Sequence, residues 1–109
     1  MEITVHARHG RVPDSLRNQA VQRISRLEQI DSRITGATVV FDGAPGNRLV
    51  EARLSVAGGP PIVGHGDAGT LRAALEATLQ RLERQVRRLR RRSIDGRARR
   101  TAIRETATP

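Results

Sequence analysis

RLVEARLSVAGGPPIVGHGDAGTLRAALEATLQRLERQVRR, residues 48–88, changes its apolar period once, and that change decides the fold. At its start Val50, Ala52, Leu54 and Val56 alternate with Glu51, Arg53 and Ser55, the period of two that a half-buried strand requires. Gly58 to Pro61 turns the chain, and PIVGHG (61–66) reads as a short further strand. Pro60 and Pro61 lack amide donors, so this turn and strand start belong at a sheet edge or outside the ladder. From Leu71 the spacing becomes three and four, through Leu75, Leu79, Leu82, Val86 and Leu89. Thr70 suits the N-cap of this helix. The helix is predicted over Leu71–Arg92, about 33 Å at the usual rise, with Asp95-Gly96 ending it.

Upstream the same reading gives three more elements. MEITVHARH (1–9) alternates Ile3 and Val5 with Glu2, Thr4 and His6, a half-buried strand. PDSLRNQAVQRISRLEQI (13–30) puts Leu16, Ala20, Ile24 and Leu27 on one helical face, with Pro13 expected in the first turn and Asp14 as an anion at the helix N-terminus. Ala37, Val39 and Phe41 alternate with Thr38 and Val40, and DGAPGN (42–47) is a turn. The order is β-α-β-β-β-α. Short turns make the last three strands an antiparallel meander, and one apolar stripe per helix sends both helices to one sheet face. The expected fold class is α+β, a four-stranded sheet with two helices on one face. Residues 1–93 form the domain, and residues 94–109 are expected to be a basic, disordered tail.

The charge is as uneven as the hydrophobic pattern. Of 109 residues, 20 are basic, every one of them arginine, and the net charge is +9. Residues 81–100 hold ten arginines and two acids, whereas the first eighty residues hold nine arginines and eight acids. Codon composition explains the chain-wide use of arginine for lysine; it does not explain clustering. A field concentrated on one element is the footprint of a protein that meets a polyanion. With Leu82 at the centre of the apolar stripe, 100° per residue puts Arg84 and Arg91 on the far side. Arg81, Arg88 and Arg92 fall on one flank, with Arg87 and Arg90 on the other. Arg23 and Arg26 flank the apolar face of the first helix and would extend this surface if the helices pack side by side. Phe41 is the sole aromatic residue, which argues against base stacking on aromatic platforms and for phosphates and helix shape as the targets.

Several segments resemble the ribosome hibernation promoting factor and ribosome-associated inhibitor family. They are ITVHARH with its Arg8-His9 pair, LRNQAVQRISRLEQI, VEARLSVAGG and AALEATLQRLERQVRR, in the family's order and spacing over about residues 1–92. The chain departs from the usual pattern at Arg72 and Gln19, where aromatics are common, and in the less basic DGAPGNR hairpin. The resemblance implies a double-stranded-RNA-binding-domain-like fold of the family's short form. It also implies a cytoplasmic protein that binds small-subunit rRNA in the mRNA and tRNA channel and blocks translation on idle ribosomes. The RNA-binding residues it points to are Arg8, His9, Arg23, Arg26, Arg81, Arg84, Arg87, Arg88, Arg91 and Arg92. The alternative is a double-stranded nucleic-acid-binding module without ribosome specificity. Pairing of the Leu/Val heptad with a partner helix is a further possibility.

Other functions find little footing. No cysteine is present, so disulfides and thiolate metal sites are excluded, in keeping with a reducing cytoplasm. His6 and His9, three apart on a strand, point to opposite faces, and Asp67 is the one carboxylate close to His65 in sequence, so no metal site is expected. No Walker loop, G-x-S-x-G or paired carboxylate stands out, and neither an enzyme nor a cofactor nor a small-molecule substrate is expected. No run is long and apolar enough to span a bilayer, and no Trp or Phe anchors the second helix at a membrane surface. A monomer off the ribosome is the expected state.

Overall fold

A computed structural model describes the backbone of residues 1–107 and the side chains of residues 1–94. The elements are β1 (Glu2–Arg8), α1 (Asp14–Ile30), β2 (Ile34–Asp42), β3 (Arg48–Val56), β4 (Ile62–Ala68) and α2 (Leu71–Ala107). They build a four-stranded sheet in the order β1-β2-β3-β4, with β1 parallel to β2 and the other pairs antiparallel. A parallel pair needs a crossover, and α1 supplies it. The meander, the two helices and the single core agree with the sequence reading. Pro60 and Pro61 precede β4, an edge strand, as their missing donors require.

The core lies between the sheet and the helix layer. Val39 and Phe41 of β2 and Val50, Ala52 and Leu54 of β3 face Leu16, Ala20, Ile24 and Leu27 of α1 and Ala74, Leu75, Leu79, Leu82 and Val86 of α2, all buried. The α1 N-terminus begins one residue later than Pro13 suggests. Pro13 is the N-cap (φ −57°, ψ 144°), and its carbonyl accepts from the amides of Leu16 at 3.0 Å and Arg17 at 3.2 Å. Thr70 caps α2 as expected, its Oγ1 accepting from the Ala73 amide at 3.2 Å.

How α2 lies on β4 depends on two glycines. A Cβ on Gly66 would stand 2.6 Å from the Ala74 carbonyl oxygen, and one on Gly64 would stand 3.0 Å from a Leu82 methyl. The helix therefore approaches β4 more closely than any side-chain-bearing strand allows. Thr78, fully buried beside this contact, is satisfied by the Val50 carbonyl at 3.1 Å and the Ala74 carbonyl at 2.8 Å.

The second helix does not end at Asp95-Gly96, and the disordered tail expected for residues 94–109 is helical through Ala107. Residues 108–109 lie outside the described residues. One interior glycine costs a helix only about 1 kcal/mol, the following Arg and Ala residues are good helix formers, and no proline intervenes before Pro109. Past Val86, however, no described side chain of α2 joins the buried core, and Ile94 is half exposed. At 37 residues the helix spans about 55 Å, which makes the molecule long, 67 × 23 × 19 Å.

One buried charge holds the α1–β2 connection. Asp31 is 2% exposed and accepts from the Arg33 side chain at both oxygens, 3.0 Å from Nε and 2.6 Å from Nη2, and from the Arg33 amide at 3.0 Å. The Arg33 hydrogen bonds, opposed by burial, hold the Asp31 carboxyl below its ordinary value, with Arg90 adding a favourable field. A depressed carboxyl pKa stabilises the fold above the unfolded-state pKa, and that stability is lost as pH falls through the folded value. Asp31→Asn should therefore cost about 1.5–3 kcal/mol at pH 7. In denaturant titrations the gap from wild type should begin to narrow below about pH 4 and close as pH falls through the folded value.

Candidate nucleic-acid interface

The helix layer and the open face of the sheet differ in charge. On the sheet face away from the helices, strand alternation presents Glu2, Asp42, Glu51 and Asp67 against Arg8 and Arg53. The cations gather on the helices, because from Arg81 to Arg92 most positions of α2 not needed for the core are arginine. Arg84, Arg88, Arg91 and Arg92 are exposed, and among the described side chains no carboxylate pairs with them.

Two clefts collect the predicted residues. Along the β4 side of α2, Arg81, Arg84 and Arg88 line one with His65 and Gln85. Here the helix also covers the strand edge: Arg81 donates to the His65 carbonyl, and Gln85 Nε2 to the Val63 carbonyl at 3.0 Å. Those carbonyls would otherwise be an open β4 ladder. Between the helices, Arg23, Arg26 and Arg87 meet around Leu27 and Ile30. Side-by-side packing of α1 and α2 thus joins the two basic flanks.

Some of these cations are partly occupied. Arg23 binds Glu76 across the helices at 3.1 Å, with Gln19 on the same carboxylate at 3.4 Å. Arg87 binds Glu83 at 2.9 Å, an i,i+4 pair with the acid on the N-terminal side. Such half-exposed pairs contribute at most about 1 kcal/mol, so a phosphate can compete for either arginine. Arg8 and His9 stand apart. Leu71, the first residue of α2, lies near Gly43 beside His9, about 25 Å along the helix from Arg88. His9 has φ 51°, and its Nδ1 lies 3.0 Å from Asp42 Oδ1. That contact is the main cause holding the Asp42 carboxyl below its ordinary value, helped by the Ala44 amide. His9 therefore fixes a corner that Gly43 makes possible, since a Cβ there would stand 2.8 Å from the His9 carbonyl. Two cleft residues are absent from the predicted set: Gln85, in the cleft beside β4, and Arg33, in a further cleft between the β3–β4 turn and α2. Neither carries a periodic signal, and a single arginine in a turn looks like any solvated one.

The site thus defines a class: a two-layer α+β protein whose helix layer is a cationic surface. Residues 3–94 match the family described as Sigma 54 modulation protein / S30EA ribosomal protein, and the chain belongs to it. It is 27% identical over 86 residues to the ribosome hibernation promoting factor of Pseudomonas putida, covering 79% of this chain and 83% of that protein. It is 29% identical to that of Azotobacter vinelandii, covering 79% of each. The N-terminal domain of Thermus thermophilus Protein Y superposes with a TM-score of 0.72 at 26% identity, over 82% of this chain and 99% of that one. A ribosomal subunit interface protein from Coxiella burnetii shares the fold, with a TM-score of 0.73 at 16% identity over 82% and 97% of the two chains. Among the described residues no helix is long and apolar enough to cross a membrane.

Proposed function

We propose that this protein is a ribosome-associated translation inhibitor. It binds small-subunit rRNA in the channel used by mRNA and tRNA and so blocks translation on idle ribosomes in the cytoplasm. Residues 1–93 are the binding unit, and the protein is a monomer off the ribosome. The observation that carries the reading is the cationic helix layer, whose exposed Arg84, Arg88, Arg91 and Arg92 can grip phosphate oxygens with planar forks. Family membership and relatives named ribosome hibernation promoting factor support the ribosome as the polyanion. Two helices over a sheet, reading backbone shape with little aromatic surface, suit a double-stranded-RNA-binding-domain-like mode. Because the sheet face carries more acids than arginines, the helix layer turns toward the RNA.

Blocking here is steric and needs no chemistry: an occupied channel cannot admit mRNA or tRNA. Affinity should fall with salt at a log–log slope of about −4 if four or five phosphates are neutralised. The test is competition binding to purified small subunits against equal masses of arbitrary duplex RNA. Preference for the subunit by about tenfold or more at 150 mM salt is expected. Equal affinity would favour the generic nucleic-acid-binding module instead.

A further inference from the structure

At the end of the domain where α2 leaves the core, a cleft of about 370 Å³ opens between the β3–β4 turn and the helix. Its lining is split in character. Val56, Ile62 and Leu89 supply apolar surface, all of them partly exposed, while Arg33, Arg88 and Arg92 supply guanidinium groups. A phosphate has no use for the apolar part, and a purely apolar ligand has none for the arginines. A single nucleotide uses both.

We infer that this cleft is a nucleotide subsite, holding one unstacked base against Val56, Ile62 and Leu89 with its phosphate on Arg88 and Arg92. The inference rests on the reading that the α2 face meets RNA and adds a contact beyond the backbone. The one phenyl ring, Phe41, is fully buried, the chain has no Tyr or Trp, and no histidine lines this cleft, so no aromatic platform is offered to a base there. Arg33 takes that place. Two of its nitrogens are committed to Asp31, which fixes the guanidinium plane, and the residue lines the cleft. A held guanidinium plane stacks on a base as an aromatic ring does, with little rotamer freedom left to lose. The turn keeps the mouth open because Gly58 (φ 74°) and Gly59 bring no side chains into it.

Gly59 provides the test. Gly59 lines the cleft and a Cβ there has one neighbour, a Val56 methyl at 3.8 Å, so Gly59→Leu adds apolar bulk at the cleft without altering charge or crowding the backbone at Cβ. Methyl NMR would follow the full chain through titration with a twelve-nucleotide single-stranded RNA, uridine monophosphate and inorganic phosphate. The RNA and the mononucleotide should shift the Val56, Ile62 and Leu89 methyls, and inorganic phosphate should leave them unmoved. Gly59→Leu should weaken both nucleotide ligands by about tenfold while its other methyl signals stay in place. Shifts with the mononucleotide and not with the strand would assign the subsite to free nucleotides. Methyls that ignore both ligands, or a Gly59→Leu protein that binds both as tightly as wild type, would overturn the inference. If either result comes with retained binding to small subunits, the proposed function stands without the subsite; loss of subunit binding by the wild-type protein removes the function itself.

Discussion

Arg84→Glu/Arg88→Glu/Arg91→Glu protein should stay in the supernatant when small subunits are pelleted at low salt, where the wild-type protein should pellet with them. The three side chains are exposed and none pairs with a described carboxylate, so the fold should be unaffected. Each change removes a charge-assisted contact, about 1.5–3 kcal/mol, and places an anion against phosphate. Affinity should fall by at least about a thousandfold, and the salt slope should flatten by about 2.7 as three phosphates lose their cations. Fluorescence anisotropy across a salt series measures both. A variant that pellets like wild type would show that α2 does not face the subunit. Reversal at Arg23 and Arg87 should cost less, because each already shares its charge with Glu76 or Glu83.

Gly66→Val should be the most destabilising single change on the sheet, by about 3 kcal/mol, lowering the melting temperature by on the order of 15 °C. The added Cβ meets the Ala74 carbonyl oxygen at 2.6 Å, the Thr78 hydroxyl at 2.9 Å and the Ala77 methyl at 3.0 Å. A helix backbone cannot yield there without lifting Leu75, Leu79 and Leu82 from the core. Gly69→Ala is the control: nothing lies within 4 Å of its Cβ, and its midpoint should stay within about 0.5 kcal/mol of wild type. Equal midpoints for the two variants would mean that α2 does not rest on β4 as described.

Much of this was readable in the chain because period reports burial. Val50, Ala52 and Leu54 against Glu51 and Arg53, and Leu75, Leu79, Leu82 and Val86 at helical spacing, leave one consistent arrangement of layers. What eluded the sequence was what depends on partners distant in the chain. The parallel pairing of β1 beside β2 has no local signature. Gly64 and Gly66 read as ordinary strand residues, though they set the distance at which α2 packs. Thr78 interrupts an apolar stripe and is buried because the Val50 carbonyl accepts its proton. Asp95-Gly96 carries a stop signal that propensity alone overrides. The candidate site divided in the same way. Arg84, Arg88, Arg91 and Arg92 followed from helical geometry, and the joining of Arg23 and Arg26 to Arg87 followed from side-by-side helices. The Arg23–Glu76 pair, the use of Arg81 to cover the β4 edge and the separation of Arg8 and His9 from the cluster required the tertiary structure.

The central claim is that the arginine-bearing half of α2 lies along rRNA phosphates in the channel of the small subunit. A density map of the protein bound to that subunit tests it directly. The account predicts Arg84, Arg88 and Arg91 within hydrogen-bonding distance of phosphate oxygens, α1 beside the same RNA and the open sheet face turned away. Density that places the sheet face against the subunit, or the protein outside the mRNA and tRNA channel, would contradict it.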